Sequence, residues 1–213
     1  MNPAAIDKAK QRLDKSKSAI ASLEAKPRDR GEAAALWTDF LLAHNSVFSC
    51  LEQGAKTESR SRQWFGKKKR ERREDPLLQY LHQARNADEH GIAPIARFQP
   101  PTARILEGTG NPETIKDIRV SADTIKIQYD DTNGNVPHIR ITSPAVYLVP
   151  VTDERYGMTF DPPTEHLGKQ LENNYPLTVA KLGFAYTENL INEAEQLTLP
   201  PKPKSSPKTH PQR

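Results

Sequence analysis

Three residues near the middle of the chain, Arg85, Asn86 and His90, have types and spacing suited to chemistry on a phosphate. Arginine presents a rigid, permanently charged fork that matches phosphate oxygens. Histidine gives or takes a proton near neutral pH. Together they supply what attack on a phosphodiester by the neighbouring ribose hydroxyl requires: a base at the 2′ oxygen and positive charge at the phosphoryl oxygens. That reaction needs no metal. Asn86, directly after Arg85, can orient either group by hydrogen bonding. The spacing sets a condition. On a continuous helix, Arg85 and His90 differ in direction by roughly 140°, so they share no face. Gly91 directly follows His90, which predicts that the helix ends there and that the imidazole can swing back towards the preceding turn. The competing reading is structural: Arg85 pairs with Asp88 or Glu89 on a solvated helix end, and His90 favours the helix C-terminus through the macrodipole.

A second group lies just upstream. Arg60, Arg62, Lys67, Lys68, Lys69, Arg70, Arg72 and Arg73 surround a single acid, Glu71, and the run contains Trp64 and Phe65. Cations with adjacent aromatics can hold phosphates and stack a base; a solvated charged face is the plainer alternative. In a bundle this run would flank the same cleft as Arg85. The other chemically capable residues are weaker. His82 has only Asp88 and Glu89 near it in sequence, too thin a set for a metal site, so no metal or cofactor is expected. His44 and Cys50 read as core residues. Gly108-Thr109-Gly110 lacks the strand and helix that a phosphate-binding loop needs.

The elements that must position these residues follow from periodicity. Residues 4–25 predict a polar helix with a narrow stripe, Ile6, Leu13, Ile20 and Leu23, suited to a bundle edge. Lys26-Pro27 through Gly31 punctuates it. Residues 32–53 carry the broadest stripe, Ala33, Leu36, Trp37, Phe40, Leu41, His44, Val47, Phe48 and Leu51. Residues 55–74 are charged, part helix and part loose. Asp75-Pro76 predicts a helix start, with Asp as N-cap and Pro in the first turn, and the helix runs to His90. After Pro94 the pattern alternates as strands do: Ile118 and Val120, Ile125 to Tyr129, Ile139 and Ile141, Val146 to Val151. A Thr132-Asn133-Gly134 loop would pair Ile127 with Ile139 and Ile125 with Ile141, giving an antiparallel meander. A last helix is predicted near 177–197. The fold class is therefore α+β: a helical bundle over 1–93, which the last helix can join, a small antiparallel β-meander over 94–175, and a disordered Pro/Lys tail over 198–213.

Composition bounds the partners. Of 213 residues only 35% are hydrophobic, and the formal net charge is +4. Lys202, Lys204, Lys208 and Arg213 of the tail account for that surplus, so the body is neutral by count and its charge is segregated. No apolar run approaches the roughly 18 residues of a membrane span. The start lacks the layout of a secretory signal, and a lone cysteine forms no internal disulfide. A cytoplasmic setting is expected.

Arg85-Asn86-Ala87-Asp88-Glu89-His90 resembles the Arg–four to six residues–His motif of HEPN domains, with the polar residue that family favours directly after the arginine. The apolar helix Asp75-Pro76-Leu77-Leu78-Gln79-Tyr80-Leu81 matches the placement of that motif late on a bundle helix. The resemblance covers residues 1–93 and the last helix; the strands depart from it. It implies a bundle that forms a homodimer and cleaves RNA without metal, as in defence or toxin–antitoxin proteins, with Arg85 at the phosphorane, His90 as base or acid, and Asn86 orienting them. Two alternatives stand beside it. One is a module that binds nucleic acid or nucleotide without cutting. The other is an interaction protein, in which the meander and the tail recruit a protein partner and the Arg85 helix is structural.

Overall fold

The computed structural model describes residues 1–25, 30–90, 94–106, 109–121, 124–130 and 136–198; of residues 30, 31 and 90 it describes the backbone alone. The expectations for 26–29 of the punctuation, the Gly91 stop, Gly108, the Thr132-Asn133-Gly134 loop and the tail beyond Thr198 lie outside the described residues, while Arg30 and Gly31, expected in the break, already belong to helix. Within them the chain is α+β, with five α-helices and short antiparallel strand pairs. No helix among the described residues is long and apolar enough to cross a membrane.

Helix α1 spans Pro3–Ala25, α2 Arg30–Ala55, α3 Ser59–Glu74, α4 Pro76–His90 and α5 Pro176–Gln196. Helix α2 buries the stripe that its 3.6-residue period marks out: Trp37, Phe40, Leu41, Val47 and Leu51 are all at most 1% exposed. Burying each such side chain is worth roughly 1.5–3 kcal/mol. Helix α1 runs antiparallel to α2, with the Asn2 amide donating to the Gly54 carbonyl at 3.1 Å. Helix α5 returns along α1, tied by Lys181 to Glu24 at 2.7 Å at one end and by Lys10 to Glu195 at the other. Helix α4 is antiparallel to α2: Thr38, early in α2, donates through its hydroxyl to Asp88, late in α4, at 3.1 Å. Gly183 of α5 lets these helices meet, because a Cβ there would stand 2.6 Å from Leu81 Cδ1.

Within 55–74 the helix α3 is continuous over Ser59–Glu74, and the non-helical part is confined to 56–58 between α2 and α3. The residues of α3 are mostly charged, but Phe65 is buried, and Lys68 and Lys69 pair with Glu193 of α5 and Glu52 of α2. Asp75 is the N-cap of α4: its Oδ1 accepts from the Leu78 amide at 2.9 Å. Pro76 occupies the first helical position, where its missing N–H costs nothing.

The strand region differs from the expected meander. Strands β1 (Ala96–Gln99), β2 (Thr102–Ile105) and β3 (Ile115–Val120) lead out, and β4 (Ile125–Tyr129), β5 (Ile139–Thr142) and β6 (Ala145–Leu148) lead back. The pairs are nested: β1 with β6, β2 with β5, β3 with β4, all antiparallel. Ile127 therefore faces Ile118 and Ile125 faces Val120, while Ile139 and Ile141 face Ile105 and Ala103. Both registers match apolar residues. The observed one closes β3 on β4 at the Ser121–Thr124 turn, where the Ser121 amide donates to the Thr124 carbonyl at 2.8 Å, and pairs β5 with β2 instead of β4. The ribbon is anchored at β1 and β6, where Phe98 and Val146 pack with Leu23, Ala33 and Leu177.

Two small hairpins follow and pack on α4: β7 (Val151–Asp153) with β8 (Met158–Phe160), and β9 (Glu165–His166) with β10 (Lys169–Gln170).

Candidate functional site

Helix α4 has two working faces. Leu77, Leu78, Tyr80, Leu81 and Ala84 are each at most 1% exposed and fill the core. Tyr80 also reaches across to the strands, its hydroxyl donating to the Val149 carbonyl at 2.8 Å. His82, Gln83, Asn86 and Ala87 form the second face and line a cleft of about 590 Å³. The opposite wall is Thr152–Tyr156 of the β7–β8 hairpin. Asp153 builds that wall: its Oδ1 accepts from the Arg155 amide at 3.0 Å, and its carbonyl accepts from the Gly157 amide at 2.7 Å. Gly157 sits at φ +66, a conformation that costs glycine little. The turn displays Tyr156, 65% exposed, with the Arg155 guanidinium 5.3 Å from its ring centroid.

Arg85 borders this cleft without lining it. Its Nη2 stands 2.5 Å from Glu89 Oε1 and its Nη1 donates to Asn86 Oδ1 at 3.2 Å. Asn86 Nδ2 in turn faces Gln83 Oε1 at 3.5 Å. The Nε of Arg85 is buried with no hydrogen-bond partner. Asn86 thus lies between the guanidinium and the cleft. The helix continues through His90. His90 therefore occupies the backbone position four after Asn86 and three after Ala87, the next place on the cleft-lining stripe. His90 is the last residue of α4, its backbone position roughly 140° around the helix axis from that of Arg85.

His82, at the cleft floor, is neutral at physiological pH. Burial pushes its imidazole down to about 4, and the guanidinium charges of Arg72 and Arg85 act the same way against the opposing charge of Asp153. Its Nδ1 is buried and unpartnered. His44 sits deeper, 5.5 Å from the rings of both Phe40 and Phe48. Burial first, then the charge of Arg72, lowers it to about 3.

The basic run is split by α3 into paired and free cations. Lys68 pairs with Glu193 at 2.8 Å and Glu71 at 3.3 Å; Lys69 pairs with Glu52 and Arg70 with Glu74. Arg72 lies over the Phe48 ring, 4.8 Å from its centroid. Trp64 donates its indole N–H to Glu193 at 2.8 Å, and Phe65 is core. Arg60, Arg62, Lys67 and Arg73 are exposed, with no ion pair among the described residues. Among the described residues no three of His, Cys, Asp and Glu gather as metal ligands would.

Three features escaped sequence reasoning. Arg155 and Tyr156 belong to a turn whose only local signal is Asp153 at its start and Gly157 at its end. Asp75 does more than cap α4: its Oδ2 accepts from the Leu167 amide at 2.7 Å, and His166 Nδ1 lies 3.0 Å from its Oδ1. His166 meets the Tyr186 ring edge-on at 5.9 Å between centroids. Compared with known proteins, the chain matches no family model, no curated protein and no solved structure.

Proposed function

We propose that the chain is a metal-independent, HEPN-like endoribonuclease whose centre is the cleft between the end of α4 and the β7–β8 hairpin. One observation carries the reading: the cleft-lining stripe of α4 bears Gln83 and Asn86 and reaches His90 as its next position, with Arg85 alongside and Arg155 and Tyr156 opposite. In this reading Tyr156 is a stacking surface for an unpaired base, and the exposed Arg155 meets a flanking phosphate. A phosphate entering beside α4 competes with Glu89 for Arg85, whose fork then takes the phosphoryl oxygens in two parallel bonds. His90 removes the proton of the 2′ hydroxyl. The 2′ oxygen forms its bond to phosphorus, the bond to the 5′ oxygen breaks, and that oxygen takes up a proton. The products are a 2′,3′-cyclic phosphate and a 5′ hydroxyl. The test is cleavage of a pool of cellular RNAs in the presence of chelator, with the product ends identified. Intact RNA across pH 6 to 8 ends this reading for those substrates.

A second reading has its own observation. The Arg85 bonds to Glu89 and Asn86 fasten the helix end without any ligand. A module that binds RNA or a nucleotide in the same cleft without cutting accounts for them equally. Binding without cleavage selects it.

A further inference from the structure

The outer part of the ribbon carries two unlike faces. On one side of the β2–β5 pair stand Thr102, Arg104, Arg140 and Thr142; on the other stand Ala103, Ile105, Ile139 and Ile141. This division follows from the two-residue period of strands. Arg104 lies directly opposite Arg140. Residues so opposed in an antiparallel pair have Cβ atoms about 5 Å apart, and like charges there destabilise the sheet. Both arginines are exposed, and neither has an ion-pair or hydrogen-bond partner among the described residues. Farther out the arrangement recurs: Arg119 lies opposite Lys126, both exposed. Arg119 donates to Asp117 at 2.6 Å, and Lys126 has no ion-pair partner among the described residues. Among the described residues, the ribbon thus holds a cation opposite a cation in both its β2–β5 and its β3–β4 pair.

We propose that the Arg104–Arg140 face of the ribbon grips the sugar–phosphate backbone of RNA, as a contact separate from the α4 cleft. The chemistry selects a phosphate chain. Two guanidinium forks match phosphate oxygens, and the hydroxyls of Thr102 and Thr142 flank them as further donors. Thr102, Arg104, Arg140 and Thr142 are all exposed, an open strip that suits successive phosphates of a strand over a small enclosed anion. An anion between the arginines also removes the repulsion that the free ribbon bears. The choice of RNA over another polyanion rests on the proposed ribonuclease reading; the site itself does not.

The experiment is fluorescence anisotropy of a labelled, unstructured 2′-O-methyl RNA, which cannot be cleaved by its own ribose hydroxyl, titrated with the full chain across a salt series. Each phosphate neutralised on a single strand contributes about 0.7 to the slope of log affinity against log salt. Arg104→Ser with Arg140→Ser is expected to lower that slope by about 1.4, and Arg140→Ser alone by about 0.7. The double variant is expected to melt no lower than the parent, because it removes a repulsion. An unchanged slope, or a parent that does not bind this RNA, overturns the proposal. Equal binding of polyglutamate, lost in the same variant, overturns the assignment to RNA in favour of an acidic protein surface. The two readings separate cleanly. Ribbon-dependent binding without cleavage of ordinary RNA sinks the nuclease alone; cleavage with an unchanged slope sinks the ribbon alone.

Discussion

His166 Nδ1 lies 3.0 Å from Asp75 Oδ1, across 91 residues of chain. Because a carboxylate only accepts, the hydrogen of the neutral imidazole is on Nδ1 and its Nε2 is an acceptor. This bond, with those from the Leu78 and Leu167 amides, ties the α3–α4 corner to the β9–β10 hairpin.

Asp75→Ala is expected to lose roughly 2–4 kcal/mol, the sum of a helix cap and two further bonds to a carboxylate. Burial pushes this carboxyl up, but the bonds from His166, Leu167 and Leu78 outweigh it and hold the group below its ordinary value. Its stabilisation is therefore fully present above the unfolded-state pKa of about 4 and is lost as pH falls through the lower folded value. Thermal melts between pH 2 and 5 check this. Asp75→Asn keeps an N-cap acceptor and should flatten the acid dependence; an unaltered dependence would refute the assignment.

Leu167 and Gly168 form the two-residue turn of the β9–β10 hairpin, at φ +48 and +74. A left-handed leucine costs roughly 1–2 kcal/mol, and the Asp75 bond to its amide holds it there. Leu167 is 54% exposed, so its side chain contributes little packing. Leu167→Asn, with a residue that tolerates this conformation, should raise the unfolding free energy by about 1 kcal/mol. Urea unfolding measures it, and a loss of stability would show that the leucine side chain matters more than its backbone.

His44 and His82 are buried neutral, lowered to about 3 and about 4. The unfolded chain protonates both near pH 6.5. Below that pH the unfolded state binds more protons, so stability falls as pH drops, down to the folded values. Each histidine contributes a slope of at most about 1.4 kcal/mol per pH unit, steepest between the unfolded and folded values and halved for His82 near pH 4. His82→Gln should remove one such slope. Denaturation curves at pH 7, 6, 5 and 4 decide it; an identical slope in the variant would show that His82 charges freely in the fold.

His90→Ala and Arg85→Ala should each lower RNA cleavage a hundredfold or more, since a general base alone typically supplies about that much. Arg85→Lys should fail too, because an ammonium does not reproduce the bidentate fork. Glu89→Gln separates the readings. If Arg85 serves the phosphate, this change strengthens RNA binding. If Arg85 is structural, it costs about 0.3–0.5 kcal/mol of stability and leaves RNA binding unaltered.

The free cations of α3 predict a selective salt response. Arg60, Arg62, Lys67 and Arg73 changed together to Ser should cut the salt slope of RNA binding more than the same change at Lys68, Lys69 and Arg70, whose charges already face Glu193, Glu52 and Glu74. An equal response from both sets would place the RNA elsewhere than on the open side of α3.

Local signals determined the helices. The α2 stripe, the Asp75-Pro76 start of α4 and the Tyr175-Pro176 start of α5 act within one or two turns, so period and capping suffice to read them. The α+β class was legible for the same reason. Tertiary structure decided what depends on distant partners. The strands could pair apolar residues in more than one register, and the local pattern does not choose between the meander and the nested ribbon that forms. The basic run reads as one block, yet Glu52 and Glu193, brought in by α2 and α5, neutralise its middle. Nothing local to Asp75 announces His166, and nothing local to Asn86 announces Tyr156. Such contacts arise when helix packing brings remote segments within a few ångströms, and the period of a single element carries no record of its neighbours.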